Sequence, residues 1–253
     1  MTASLEIRGL SKNFGALQVC RDIDLSLQDG ARHALIGPNG AGKTTLVNLI
    51  AGALPATSGR ILLDGADITA LPQAPRVRRG LARTFQINQL FRNLSVLENV
   101  CLAISERNGT SRNLWRPLRH ERALLDEAMA QLDALGLAQN AGRPVNVLPY
   151  GQQRLVEIAI ALALRPRLLL LDEPAAGVPS AESHLILDAL EKLDPRIPIL
   201  IIEHDMDIVF RFAKRVSVLV AGRIMAEASP QDIARDENVR AAYLGRQSRG
   251  VAP

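Results

Sequence analysis

The stretch from Gly37 to Thr45 constrains the fold of this chain more than any other part of it. It reads G-P-N-G-A-G-K-T-T and fits the spacing G-x-x-x-x-G-K-[ST] of a phosphate-binding loop. Its glycines let the backbone curl so that successive N–H groups point at one anion, and a helix that begins here adds the positive end of its dipole. Lys43 is placed to reach the terminal phosphates, and the Thr44 hydroxyl is placed to hold a magnesium ion.

The residues on either side of the loop have the patterns that such a motif requires. The apolar run 34–36 predicts a short buried strand, and the helical spacing of apolar residues from Leu46 to Ile50 predicts a helix. A glycine-rich turn that binds nothing is the alternative, and the register of the motif between strand and helix disfavours it. The predicted nucleotide-binding residues of the loop are Gly37, Pro38, Asn39, Gly40, Ala41, Gly42, Lys43, Thr44 and Thr45.

Composition predicts one large globular domain. The chain has 253 residues, of which 47% are hydrophobic, enough to bury a sizeable core. The longest apolar run, 158–164, is well short of the ~20 residues that a membrane-spanning helix needs. The first residues lack the basic and apolar regions of a signal peptide. Cys20 and Cys101 match no metal spacing, so a reducing compartment is the expected setting.

The charge of the chain is basic but dispersed. The net charge is +4 and the pI is about 9.5. Aromatic residues are only 3% and do not alternate with basic ones, so a base-stacking surface for nucleic acid is not expected. The one dense basic group is interpreted as a solvated helix face, with contact to lipid headgroups or an acidic partner as the alternative. Its members are Arg76, Arg78, Arg79 and Arg83.

The order of patterns along the chain predicts an α/β fold. Alternating apolar residues over 5–27, interrupted by a turn-like segment at 12–15, predict antiparallel strands at the start. Ser95 and Glu98 form a capping box, and helices are predicted over 121–135 and 152–164, with an arginine-rich surface insertion over 105–120. From Leu168 onward, apolar strands alternate with helices, which indicates a mainly parallel sheet covered on both faces.

The second informative feature is an apolar strand that ends in two carboxylates. Leu168 to Leu171 is followed at once by Asp172 and Glu173. In phosphate-loop enzymes an aspartate at this position holds magnesium, and the adjacent glutamate can act on the attacking water as a general base. A solvated strand end is the alternative, and the presence of the loop disfavours it.

Three further motifs are Gln86 in Arg-Thr-Phe-Gln, a signature-like Leu-Pro-Tyr-Gly-Gln-Gln at 148–153, and His204 in Ile-Glu-His-Asp. Together with the loop and Asp172-Glu173, they follow the order found in the ATP-binding cassette ATPases, and residues 4 to about 244 resemble that family. The resemblance implies a phosphate-loop NTPase core with an N-terminal antiparallel β subdomain and an inserted α-helical subdomain. It divides the single domain 1–253 into a core over 1–87 and 166–235, a helical subdomain over 88–165 and a tail over 236–253.

The resemblance implies ATP and Mg²⁺ as cofactors, held between two such subunits arranged head to tail. The implied catalytic residues are Glu173, His204, Gln86 and Lys43, and the implied metal-site residues are Thr44, Gln86 and Asp172. Phe14 stands where the family stacks an aromatic ring on adenine, with core packing as the alternative. Residues serving the partner's nucleotide in trans are Tyr150, Gly151 and Gln152.

Two departures from the family pattern bear on the signature and on the segment after Glu173. The usual Ser-Gly-Gly is replaced by Pro149-Tyr150-Gly151, and proline brings neither a hydroxyl nor a backbone N–H to a phosphate. The aspartate that is common near Pro179 is missing, so coupling between the two nucleotide sites is expected to differ. The odd signature slightly favours a different ATPase as the partner over a second copy of this chain.

The details narrow the resemblance to the ATPase subunits of branched-chain amino acid importers. They are Tyr-Gly in the signature, Arg-Thr-Phe-Gln, Glu-Pro-Ala-Ala-Gly and the ending at 242–245. The implied partners are a second ATPase subunit, two transmembrane permease subunits and a periplasmic or extracellular solute-binding protein, with the chain peripheral on the cytoplasmic face of the membrane. Alternatives are urea or amide importers, a lipopolysaccharide exporter, a cassette ATPase that moves nothing across a membrane, and a phosphate-loop kinase.

Overall fold

A six-stranded sheet forms the centre of the protein, which we describe from a computed structural model over residues 4–84, 90–110 and 122–244. Neighbouring strands run in the order β10-β9-β3-β8-β7-β6, and every pair is parallel except β9 with β10. The strands are β3 (Arg32–Ile36), β6 (Leu81–Arg83), β7 (Leu168–Asp172), β8 (Ile199–Ile202), β9 (Arg215–Val220) and β10 (Arg223–Ala228). The mainly parallel sheet predicted from the sequence is therefore confirmed.

A second, antiparallel sheet of four strands precedes and flanks the first. Its order is β2-β1-β4-β5, with β1 (Leu5–Phe14), β2 (Leu17–Leu27), β4 (Ser58–Leu63) and β5 (Ala66–Asp67). The antiparallel opening of the chain is confirmed. The turn predicted over 12–15 is wrong in its position, because β1 continues to Phe14 and Asn13 pairs with Gln18.

Between β6 and β7, the described residues form the α-helices α3 (Val96–Arg107), α4 (Arg122–Ala134) and α5 (Tyr150–Ala163). Two short 3₁₀ helices, Ala138–Asn140 and Val145–Val147, connect α4 to α5. The capping box at the start of α3 is present, since the Ser95 side chain accepts from Glu98 N–H and the Glu98 carboxylate accepts from Ser95 N–H. The predicted insertion over 105–120 begins inside α3, and its residues from 111 onward lie outside the described ones.

The remaining helices cover the edges and faces of the two sheets. They are α1 (Lys43–Ala51), α2 (Gln73–Arg78), α6 (Ser180–Glu191), α7 (Met206–Phe212), α8 (Pro230–Arg235) and α9 (Glu237–Leu244). In the described part of the chain, no helix is long and apolar enough to span a bilayer.

The central sheet buries apolar side chains on both faces. Leu168 and Leu170 of β7 face α1 and the antiparallel sheet, whereas Leu169 and Leu171 face the helices of the other side. This alternation follows from the two-residue period of a strand, and it explains why the strand is apolar throughout. The helix α1, which carries the phosphate loop at its start, is thereby fixed against the sheet.

The interpretation of the basic group as a solvated face is wrong for two of its four members. Arg76 is 1% exposed, and the Arg83 side chain is 10% exposed. Arg78 and Arg79 are exposed, as expected. Buried guanidinium groups need hydrogen-bond partners, and both buried arginines have them.

Candidate nucleotide site

The phosphate loop, the Asp172-Glu173 pair and His204 lie where three neighbouring parallel strands end. The loop follows β3, Asp172 is the last residue of β7, and Glu203 and His204 follow β8. Because β8 pairs with both β3 and β7 in parallel, the three carboxyl ends meet at one edge of the sheet. Ligands of open α/β sheets bind at such an edge.

The phosphate loop has a backbone that requires glycine. A Cβ atom on Gly37 would lie 2.1 Å from the carbonyl oxygen of Leu219, so no larger residue fits there. Within the described residues, the N–H groups of Gly40 and Gly42 make no hydrogen bond to protein, and the first amides of α1 lack partners as at every helix start. The loop therefore offers several N–H groups to an anion.

Lys43 is folded back on its own loop. Its Nζ donates to the carbonyl oxygens of Gly37 at 2.6 Å and Pro38 at 3.2 Å. Burial lowers the pKa of Lys43, while the nearby charges of Glu173 and Asp172 act in the opposite direction. The ammonium group is thus held beside the loop and near both carboxylates, whereas Thr44 is exposed at the loop surface.

The Asp172 carboxylate is almost fully buried and is held by Arg83. Its Oδ2 accepts a hydrogen bond from Nη2 of Arg83 at 2.6 Å. Nη1 of the same guanidinium donates to Oδ1 of Asn48, on α1, also at 2.6 Å. Sequence reasoning missed both Arg83 and Asn48, although Arg83 is the first residue of the Arg-Thr-Phe-Gln motif.

Glu173 has an unusual backbone and an accessible side chain. Its φ is 46°, in the left-handed region that non-glycine residues rarely adopt, and its N–H donates to the carbonyl oxygen of Ile202. The side chain is 22% exposed, and its Oε1 lies 3.7 Å from Nδ1 of His204. His204 is mostly exposed, so this pair faces the surface above the strand ends.

A buried carboxylate, Glu203, organises the segments that carry Glu173 and His204. It is 1% exposed and accepts hydrogen bonds from the N–H groups of Ala175 and His204. Burial raises the pKa of Glu203, and these N–H groups oppose the rise. The Ile-Glu-His-Asp motif contained this residue, but sequence reasoning assigned a role only to His204.

The signature-like segment forms the start of α5. The N–H of Gly151 donates to the Glu182 carboxylate at 3.1 Å, and the Gln152 amide oxygen accepts from Asn140. The Arg154 guanidinium lies over the Tyr150 ring, with its Cζ 5.1 Å from the ring centroid. Among the described residues, no hydrogen bond, ion pair or ring contact joins Tyr150, Gly151 or Gln152 to the phosphate loop.

Of the two remaining predicted site residues, Phe14 and Gln86, only Phe14 lies among the described residues. Phe14 is 46% exposed at the end of β1, with Lys12 Nζ 4.9 Å from its ring centroid, so the core-packing alternative is excluded. Gln86 lies outside the described residues.

The donor chemistry at the sheet edge suits a nucleotide phosphate and a magnesium ion. Magnesium prefers oxygen ligands, and the Thr44 hydroxyl and Asp172 carboxylate supply them from the adjoining elements α1 and β7. The described residues contain no group of three metal-ligating side chains. Apart from the predicted ligand Gln86, which lies outside the described residues, such an ion would take its other ligands from phosphate and water.

A parallel sheet with a phosphate loop after β3 and paired carboxylates after β7, with only β8 between these two strands, defines a phosphate-loop ATPase. The sequence matches the family described as "ABC transporter" over residues 20–176. Residues 223–248 match the family described as "Branched-chain amino acid ATP-binding cassette transporter". The chain belongs to the ABC transporter family and is one of its ATP-hydrolysing cassettes.

Curated relatives and solved structures agree with this assignment along nearly the whole chain. The chain is 36% identical over 250 residues to the high-affinity branched-chain amino acid transport ATP-binding protein BraF of Pseudomonas aeruginosa, covering 95% of this chain and 97% of the relative. It is 37% identical to the corresponding LivG protein of Escherichia coli, with the same coverage. The ADP conformation of an ATP-binding cassette from an ABC transporter superposes with a TM-score of 0.85 at 32% identity, covering 97% and 100% of the two chains.

Proposed function

We propose that this chain is the ATPase subunit of a branched-chain amino acid importer. The names of the relatives motivate the solute class, and the site that joins Lys43, Asp172 and Glu173 at one sheet edge is the observation that carries the chemistry. The reaction is attack of water on the terminal phosphate of ATP, which yields ADP and phosphate. Phe14 stacks on the adenine from its exposed position at the end of β1.

Different residues of the chain bind the phosphates, accept the proton of the attacking water and position the reacting groups. The loop amides and Lys43 bind the phosphates, and Lys43 exchanges its contacts with Gly37 and Pro38 for phosphate oxygens. Glu173 accepts a proton from the attacking water, and His204 orients that water and the terminal phosphate. Glu203 keeps both segments in place. Thr44, Asp172 and Gln86 would hold a magnesium ion, which would neutralise charge on the phosphate oxygens.

Two subunits pair head to tail in the proposed working state. The start of α5, with Tyr150, Gly151 and Gln152, serves the nucleotide bound by the partner's loop. Gly151 and Gln152 bond to Glu182 and Asn140 rather than to the loop of their own chain, which supports that arrangement. Helix starts favour anions, so Gly151 suits a terminal phosphate. Because Pro149 replaces the serine of the usual signature, a second, different ATPase is the favoured partner.

A groove beside the segment that leads to Gln86 suits a membrane subunit. The groove has a volume of about 350 Å³ and lies between α2, β6 and α5. Its lining is mainly apolar, including Val77, Leu81 and Ile160, with Glu157 among its few charged residues. We place two permease subunits here, one on each ATPase, on the cytoplasmic face of a membrane whose other side carries a solute-binding protein.

The function is tested with a single variant in cells that contain the complete transporter. Glu173→Gln keeps the shape of the side chain but removes the base, so ATP binding is expected to persist while hydrolysis falls by at least ~100-fold, the lower range of general-base contributions. Uptake of labelled leucine is expected to fall with it. The tagged chain should copurify with polytopic membrane proteins in both forms.

The matched control is Glu191→Gln, which removes a surface carboxylate that pairs with Arg211 at the end of α6. It is expected to hydrolyse ATP and support uptake as the unmodified chain does. Near-normal hydrolysis by Glu173→Gln would remove Glu173 from the base role. ATP hydrolysis without membrane partners or leucine uptake would refute the importer.

A further inference from the structure

The Arg83 guanidinium joins two elements that the proposed mechanism needs to keep in register. One arm donates to Oδ2 of Asp172 at the end of β7, and the other donates to Oδ1 of Asn48 on α1. Arg83 itself is the last residue of β6, which pairs with β7. The side chain therefore crosses from the sheet to the helix that begins at the phosphate loop.

Asn48 and Thr44 lie on the same face of α1. They are four residues apart, the spacing at which side chains on a helix are neighbours. A contact from Arg83 to Asn48 therefore sets the position of the helix face that carries Thr44, while its contact to Asp172 sets the position of the carboxylate. The two oxygen donors proposed for magnesium are linked through one side chain.

The burial of this bridge makes it a strong constraint. The side chains of Arg83 and Asp172 are 10% and 4% exposed, so little water competes for their hydrogen bond. Charge-assisted hydrogen bonds are among the strongest in proteins, and a planar guanidinium has a fixed geometry. Arg83 engages only Oδ2 of the carboxylate, and no other hydrogen bond to Asp172 is made by the described residues. Oδ1 would therefore be available to a metal ion or its water.

We propose that Arg83 is a positioning residue for the magnesium ion, acting through Asp172 and Asn48. It holds the Asp172 carboxylate by one oxygen and fixes α1 by the other arm, so that the metal meets a preformed pair of ligands. This inference rests on the proposed function, because it needs nucleotide and metal at this edge. Residues that orient metal ligands typically change metal affinity by about 10- to 100-fold when they are replaced.

A competing role for Arg83 makes the opposite prediction. If the guanidinium were a stand-in cation that the metal must displace, its removal would strengthen the effect of magnesium on ATP binding. The one-oxygen contact argues against displacement, since the second oxygen is available while Arg83 stays in place. The sign of the change therefore distinguishes the two roles.

The test measures ATP affinity of the full chain with magnesium and with excess chelator, by titration calorimetry. All variants carry Glu173→Gln, so that ATP is not consumed. In Arg83→Met the gain in affinity caused by Mg²⁺ is expected to fall about tenfold or more. Affinity without metal is expected to stay within about twofold, because the hydrogen bonds of Arg83 to Asn48 and Asp172 involve no residue of the loop 37–45. Arg83→Lys, which keeps the charge, should recover part of the gain.

A second variant, Asn48→Ala, keeps the test valid if Arg83→Met does not fold. It leaves the Arg83–Asp172 pair intact and removes only the hydrogen bond from Arg83 to α1. It should reduce the magnesium effect by several-fold. Arg79→Met, at an exposed position, is the matched control and should change nothing. If the gain in ATP affinity caused by Mg²⁺ were unchanged or larger in Arg83→Met and Asn48→Ala, the positioning role of Arg83 would be overturned, while the proposed function would stand. Failure of the parent chain to bind ATP would instead refute the proposed function.

Discussion

At the scale of single residues, His33 lies in a buried polar chain that joins three strands. Its Nε2 is 2.8 Å from the Ser217 hydroxyl, which donates to the Glu227 carboxylate at 2.8 Å. The hydroxyl has a single proton, and because it goes to the carboxylate, Nε2 of His33 must be the donor of the first bond. Nε2 of His33 therefore carries a proton in the folded protein, and the lowered pKa that burial gives this side chain leaves the ring neutral near pH 7. Arg215 pairs with the outer side of Glu227.

This arrangement predicts a specific loss of stability in mild acid. Burial lowers the pKa of His33 from 6.5 to about 4, with Glu227 opposing the change and Arg215 adding to it. Below pH ~6.5 the unfolded chain binds a proton at this position while the folded chain does not. The free energy of unfolding should therefore fall by about 3 kcal/mol between pH 6.5 and 4, at roughly 1.4 kcal/mol for each pKa unit.

Urea unfolding at pH 7, 6 and 5 measures this dependence. In His33→Asn the part due to His33 is expected to disappear, and the exposed His184→Asn is the control that retains it. Comparison of the variants removes the contribution of carboxylates that also titrate in acid. An NMR titration that placed the His33 midpoint near 6.5 would contradict the prediction.

At the scale of elements, the end of α1 depends on a residue from α2. The Arg76 guanidinium donates to four carbonyl oxygens, those of Leu49, Ile50, Thr69 and Leu71, at 2.6 to 2.8 Å. The first two belong to the last turn of α1, whose carbonyl groups have no partner within the helix. Gly52 is required here, because a Cβ on it would lie 2.7 Å from Nε of Arg76.

Arg76→Met should destabilise the protein by at least ~3 kcal/mol, because several buried carbonyl groups lose their donors at about 1–3 kcal/mol each. Burial lowers the pKa of Arg76 to about 10, so it is charged at neutral pH, and its replacement also removes charge from the negative end of α1. Urea unfolding measures the change. Arg78→Met, an exposed position on the same short helix, should stay within ~0.5 kcal/mol. Equal effects of the two substitutions would contradict the capping role.

The elements and contacts that sequence reasoning missed share a physical cause. The loop and the Asp172-Glu173 pair were predictable because consecutive residues carry them. Arg83 and Asp172 are 89 positions apart, and only the pairing of β6 with β7 brings them together. The burial of Arg76 is not predictable from the sequence, because its partners are main-chain groups, which have no sequence signal. The half-buried edge strand β10 and the helix α9 lacked a strong apolar period.

At the scale of the whole molecule, the phosphate loop and the start of α5 belong to different parts of the described chain, with no hydrogen bond, ion pair or ring contact between them. The loop with Lys43 lies at the end of β3, whereas Gly151 at the start of α5 donates to Glu182 of its own chain. The segment 174–182 follows Glu173 directly and reaches the start of α5 at Glu182. In a head-to-tail pair, a terminal phosphate from the partner would compete with Glu182 for Gly151. Segment 174–182 would then connect the Glu173 site of one chain to the place where that chain's Gly151 contacts the nucleotide of its partner.

This separation predicts that changes at the start of α5 affect the pair but not the single chain. Pro149→Ser adds a hydroxyl and an N–H at the N-cap of α5, and ATP affinity of the isolated chain is expected to stay within about twofold, because this segment serves the opposite nucleotide. Lys43→Ala, in the loop itself, is expected to weaken ATP binding at least tenfold. Titration calorimetry on the isolated chain measures both. A large change in ATP affinity on Pro149→Ser would contradict head-to-tail pairing, because it would place the start of α5 at the nucleotide of its own chain.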